Sequence, residues 1–206
     1  MNQYSNRMKI LIITFSVIIG LFIILQSFTI MSTEKAEEQK YTVVFPNEVF
    51  EIRFYPSATL ATVYSEAKTY KELAGPGFRK LAGYIFGGNE SGKNISMTSP
   101  VQMDINDSVS EMSFMMPVGY NLDNLPKPND GKVIVHKTSD EYVAAIRFGG
   151  FASDKDIKKY SEKLKTLLLA KGINYYGNFR LLGYNPPFQL VGRRNEIILS
   201  VRWETK

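Results

Sequence analysis

Arg193, Arg194, Asn195 and Glu196 stand in a row at the mouth of an apolar run, "IILSV" (197–201). Guanidinium groups in such a place can do one of two things. They can make charge-assisted, bidentate hydrogen bonds to the carboxylates of a ligand, or they can lock a loop onto a strand. Glu196 offers the same choice between a ligand-facing acid and a structural one. His136 is the only histidine, and there is no cysteine. Cysteine nucleophiles, thiolate metal sites and disulfides are therefore excluded. His136 lies in "KVIVHKT" (132–138), alternating with Ile134. It is an axial metal ligand, a general base or an ordinary strand residue. No pair of histidines or acids has metal-ligand spacing. Gly87, Gly88 and Gly92 read as a turn rather than a phosphate cradle. A single acid without a nucleophile or base partner is poor ground for catalysis, so the chain reads as a binding protein and not an enzyme. What it has in plenty is apolar surface: 13 Phe, 12 Tyr, one Trp and eight Met. Met97, Met103, Met112, Met115 and Met116 cluster mid-chain, where methionine fills cores or adapts to irregular ligands.

These residues need elements to hold them. "FEIRFY" (50–55) and "ATLATVY" (58–64) are rich in β-branched and aromatic residues and read as strands. Thr69 with Glu72 forms a capping pair that opens a helix, and Gly87-Gly88 closes it. Gly75-Pro76-Gly77 interrupts its apolar face, which predicts a break, with a restart that carries Pro76 in its first turn. Ser153 and Asp156 cap a second helix, whose face holds Ile157, Tyr160, Leu164, Leu167 and Leu168, and Gly172 ends it. Each helix follows a strand and precedes two more. Ser110-Glu111 and Asn195-Glu196 occupy parallel places in the two halves. The expected class is α+β: two halves about a pseudo-twofold axis, forming a curved antiparallel sheet or distorted barrel with two packed helices.

A further element precedes the domain. Residues 10–30, "ILIITFSVIIGLFIILQSFTI", carry no charge. At about 1.5 Å per residue they make about 31 Å of helix, enough to cross a hydrocarbon core. A cleavable signal peptide has a shorter apolar stretch, about 7–15 residues, and a small-residue cleavage site. The sequence therefore predicts an uncleaved transmembrane signal anchor. Arg7 and Lys9 before it place residues 1–9 on the cytoplasmic side. Residues 31–40 read as a polar tether, and 41–206 as an extracytoplasmic domain. All 20 acids and 23 of the 25 bases follow the apolar run, leaving +3. That charge is too small to argue for a nucleic-acid partner.

Four phrases carry a resemblance: "GGNESGKNISMTSPV" (87–101), "IRFGGF" (146–151), "GYNPPF" (183–188) and "GRRNEI" (192–197). In order and spacing they resemble the SOUL/heme-binding-protein family over about residues 48–203. The resemblance implies a distorted antiparallel β-barrel of two pseudo-symmetric halves with two flanking helices. It also implies binding of heme or a related tetrapyrrole in an open apolar groove. On this chain the groove would hold Phe78, Arg79, Leu81, Ala82 and Ile85 on the first helix, with Phe188, Arg193, Arg194 and Glu196 on the loop before the last strand. The apolar wall would bury the ring and the arginines would meet its propionates. Gly75 and Gly83 stand where some members carry basic residues, and Phe54 stands where one branch has a histidine after the "EIR" stretch. The resemblance therefore implies binding without a histidine axial ligand at that place. The architecture is more distantly similar to gyrase-inhibitor-like ligand-binding domains. That likeness implies an alternative, a small-molecule sensor or hydrolase using the cleft between the halves and Glu196. A domain that binds no tetrapyrrole is a third reading.

Overall fold

The computed structural model describes residues 2–204. The chain begins with α1 (Asn2–Glu34), a helix apolar on all sides over residues 10–30, where most side chains stand exposed. Two short strands follow, β1 (Glu37–Glu38) and β2 (Thr42–Pro46), and then β3 (Glu51–Tyr55) and β4 (Thr59–Ser65). α2 (Tyr70–Ile85) leads to β5 (Thr98–Ser99), β6 (Val101–Asp104), β7 (Ser110–Met115) and β8 (Val133–Lys137). The second half holds β9 (Glu141–Phe148), α3 (Asp154–Ala170), β10 (Tyr175–Gly183) and β11 (Asn195–Val201).

Both helices start as their caps predict. The Thr69 hydroxyl accepts from the Glu72 N–H at 3.2 Å, and the Glu72 carboxylate accepts from the Lys68 N–H at 2.9 Å. Ser153 accepts from the Asp156 N–H at 3.2 Å. The expected break at Pro76 is corrected: α2 runs without interruption through it. Pro76 and Glu72 are both exposed, so the Glu72 carbonyl that Pro76 cannot bond lies on the solvent side of the helix. Leu73 and Leu81, both fully buried, hold the helix to the sheet on either side. Gly77 lies against β7, where an added Cβ would meet Met112 Sδ at 3.1 Å. Gly88 ends the turn after α2 by donating to the Gly83 carbonyl at 2.8 Å, an approach that any side chain at Gly88 would block.

Nine strands form one antiparallel sheet, in the order β2-β3-β9-β11-β10-β6-β7-β4-β8. The order reads symmetrically outward from the β6–β10 pair. From that centre β6, β7, β4 and β8 match β10, β11, β9 and β3, and α2 matches α3. The expected duplication is thus present. The expected barrel is not. Among the described residues no ladder joins β2 to β8, and the sheet stays open. Both edges are blunted, β2 by Pro46 and β8 by its five-residue length and terminal Lys137.

Strand alternation sorts the side chains. One face carries the main core, with Ile52, Ala61, Val63, Met112, Phe114, Ile146, Ile197 and Leu199 packed under α2 and α3. The other face carries no helix. There Tyr55, Val143, Ala145, Leu182, Tyr184 and Ile198 form a second, smaller cluster, with Tyr41 packed against it.

Candidate functional site

Glu196 is the second residue of β11 and points to the helix-free face, as Ile198 does. It is wholly buried. Arg53 reaches it across the sheet with two hydrogen bonds, 2.6 and 3.2 Å. Arg194 donates to it from Nε at 3.1 Å, with Nη2 at ion-pair distance, 3.0 Å, and the Tyr184 hydroxyl donates at 2.9 Å. Burial alone would raise its pKa. The hydrogen bonds and charge of Arg53 and the charge of Arg194 outweigh burial and hold it below the usual carboxylate range. Burial pushes the Tyr55 hydroxyl up to about 12 despite the neighbouring Arg53. This carboxylate has no vacant side for a proton-transfer role.

The two loop arginines are equally engaged. Arg194 stacks over Tyr184 at 3.7 Å and also reaches Glu38 at 3.2 Å. Arg193 turns the other way. Its guanidinium donates to the carbonyls of Pro186 (2.6 Å), Gln189 (2.7 Å) and Asn185 (3.3 Å), and lies over Phe151 at 4.3 Å. Its Nε is buried without a partner. Asn195 donates to the Gly150 carbonyl at 2.8 Å. The four polar residues thus hold the 185–194 loop to the sheet.

Residues expected on α2 are split by the helix. Leu81 and Ile85 face the core and are fully buried. Phe78 is half-buried, edge-on to Phe114 at 5.3 Å between centroids, and Ala82 is half-buried. Arg79, Gly75 and Gly83 lie on the exposed side, continued by the exposed Phe86. Phe188 is exposed on the loop, where its carbonyl accepts from Gln26 of α1. Sequence reasoning missed Phe86, one turn beyond Ala82 on the same side, and missed Gln26, Tyr41 and Phe151. Only Phe86 was within reach of a helical periodicity argument.

The segment expected as a tether is fastened to the domain. β1 pairs in parallel with β5, and Glu37 accepts from the Val118 N–H at 2.8 Å. Tyr41 lies over Arg53 at 4.2 Å and against Tyr55. Cavities open on both sides of the sheet. One of about 330 Å³ lies beside α3, lined by Met103, Ile105, Ile157, Ser161, Phe179 and Leu181. One of about 260 Å³ opens beside Tyr41, Glu48, Glu51, Arg53, Arg194 and Glu196. His136 lies on the helix-free face of β8, its Nε2 2.9 Å from the Thr62 hydroxyl, which also bonds Ser113 at 2.7 Å. Among the described residues no group of three His, Asp or Glu side chains is arranged to hold a metal ion.

A family model described as SOUL heme-binding protein matches residues 36–200. Heme-binding protein 1 of Xenopus laevis is 28% identical over 156 residues, 72% of this chain and 81% of that protein. Heme-binding protein 2 of Mus musculus is 29% identical over 158 residues, 73% of this chain and 77% of that protein. Among solved structures, the EcmrR C-terminal domain superposes with a TM-score of 0.56 at 10% identity, covering 80% of this chain and 99% of that one. A hydrolase from Listeria innocua superposes with a TM-score of 0.55 at 9% identity, covering 77% and 94%. At such identities these two show a shared fold alone.

Proposed function

The chain belongs to the SOUL heme-binding protein family, and on that premise we propose that it is a membrane-tethered binding protein for heme or a related tetrapyrrole. The observation that carries the reading is the family match itself, which runs from before β1 to Ser200, the next-to-last residue of β11. The ligand is a flat apolar ring with two carboxylates, and the protein offers apolar side chains left exposed or half-exposed. Phe78, Ala82 and Phe188 supply the wall, with Leu81 and Ile85 backing it from the core. Arg79, Arg193 and Arg194 supply positive charge at the rim, and Glu196 acts by fixing Arg194. Ring burial does the binding, because Phe54 stands where one branch of the family has a histidine and His136 is engaged with Thr62. Residues 10–30 cross the bilayer as an anchor, and residues 41–206 lie on the extracytoplasmic side.

Absorbance titrations of the purified chain with hemin and with metal-free porphyrin test this. The two are expected to bind alike, and His136→Ala to shift hemin affinity by less than about 1 kcal/mol. Failure of both ligands to bind would overturn the reading. A large loss on His136→Ala would replace ring burial by iron ligation. The alternative, a sensor or hydrolase acting through Glu196, has less support. The acid is held by three donors, and Tyr41 lies beside its entrance.

A further inference from the structure

The loop before β11 does something that its place in a ligand groove does not explain: it is bonded to the flank of the apolar helix. Gln26 donates to the Phe188 carbonyl at 3.1 Å and accepts from the Leu190 N–H at 2.9 Å. Thr33 donates to the Gln189 side-chain oxygen at 3.0 Å. Gln26 lies inside the stretch Arg7–Met31 that is long and apolar enough to span a membrane. At about 1.5 Å per residue it lies about 7.5 Å inward from Met31. A loop bonded at that level runs beside the span, not beyond its end.

The loop is built for such a place. "NPPFQLVG" (185–192) carries no charge. Phe188, Leu190 and Val191 are 64, 48 and 57% exposed, and Pro187 is exposed beside them, while the one long polar side chain, Gln189, turns inward. Five of its carbonyls are bonded from within. Arg193 takes the carbonyls of Asn185, Pro186 and Gln189. Gln26 takes the carbonyl of Phe188, and the Gln189 amide takes that of Val191 at 3.0 Å. Pro186 and Pro187 have no N–H to satisfy. Internal bonding of this kind lowers the cost of bringing irregular backbone to the lipid interface.

We propose that Pro186–Val191 is immersed in the interfacial region of the outer leaflet of the bilayer that α1 crosses. The proposal rests on the anchor reading. Lipid is the occupant because a soluble partner would have to reach the loop through the lipid around α1. The candidate ligand surface at Phe188 then opens toward the membrane and not toward water.

The chain has no cysteine, so single labels can be placed cleanly. Phe188→Cys, Ile18→Cys and Leu169→Cys in the full chain would each carry an environment-sensitive fluorophore, in phosphatidylcholine–phosphatidylglycerol vesicles containing nitroxide lipids. Leu169, at the far end of α3, is the solvent control. All three side chains are exposed, so the fold should tolerate each change. The labels at 188 and 18 should be quenched at least about twofold more than that at 169, as expected for side chains immersed at the acyl boundary. Quenching at 18 with none above control at 188 would overturn the proposal and leave the anchor standing. No quenching at 18 would overturn the anchor and the proposal with it.

Discussion

Glu196 decides most at the residue scale. Its carboxylate and Arg53 are both buried and depend on each other. Removing one partner of such a pair leaves an uncompensated charge, so Glu196→Gln should destabilise the domain by about 3 kcal/mol at neutral pH, read by thermal melting. The pH profile gives a sharper test. The folded-state pKa of Glu196 is lowered, so its stabilisation is present above the unfolded value near 4.5 and is lost as pH falls through the folded value. The parent should lose stability on acidification below that point, and Glu196→Gln should be flatter there. Equal slopes would mean that other carboxylates govern acid unfolding. Glu111, its counterpart in the first half, goes the other way: burial and nearby Asp104 raise its pKa, against the pull of His136 and Arg180. The loop arginines are separable by a double readout. Arg193→Ala strands three carbonyls and should lower stability by about 2 kcal/mol. Arg194→Ala should also weaken a dicarboxylate porphyrin by about 1 kcal/mol while sparing its diester. If both variants bind both porphyrins as the parent does, neither arginine meets the ligand, and the four polar residues serve only to fasten the loop.

At the scale of elements, what was legible in sequence was local. Caps at Thr69 and Ser153, strand alternation and the terminating glycines act within a few residues, and the structure keeps each. The duplication was legible because it repeats these local signals. Barrel closure was not, because it depends on whether β2 and β8 meet, a pairing that no local pattern encodes. The break at Pro76 failed for a related reason: burial of Leu73 and Leu81 on either side offsets a local proline cost of about 3 kcal/mol. The site was half legible. The residue types of the loop were readable, but their partners Arg53, Gln26 and Glu38 lie 143 to 164 residues away along the chain. α2 offers a matched pair of tests. Gly83 is exposed with nothing near its missing Cβ, so Gly83→Ala should stabilise by about 0.5–1 kcal/mol through helix propensity. Gly77→Ala places a methyl within 3.1–3.3 Å of Met112 and should destabilise by about 1 kcal/mol, overpacking exceeding the propensity gain. Shifts of the same sign would show that α2 does not lie on β7 as described.

At the scale of the whole molecule, α1 is longer than a bilayer needs. Its 33 residues span about 50 Å, against a hydrocarbon core of about 30 Å. The domain docks along its C-terminal part, through Gln26 and Thr33, and then through β1. If α1 is the anchor proposed above, it would act as a post that fixes the orientation of the domain rather than as a loose tether. Two truncations separate anchoring from bracing. The full chain should stay with membranes through carbonate extraction, whereas chains beginning at residue 36 or 41 should be soluble. The two soluble forms should still differ. Starting at 41 removes the pairing of Glu37 and Glu38 with Thr98 and Ser99, the Gln39–Ser99 hydrogen bond and the Glu38–Arg194 contact. At about 1 kcal/mol net for each buried hydrogen bond, and less for the exposed ion pair, the shorter form should melt lower by about 1–2 kcal/mol. It should also expose Arg194 to solvent, so that exchange of the Arg194 and Tyr184 amide protons speeds up relative to the longer form. Identical melting and exchange would show that β1 merely rests on the domain, and the fixed orientation of the post would then fail with it.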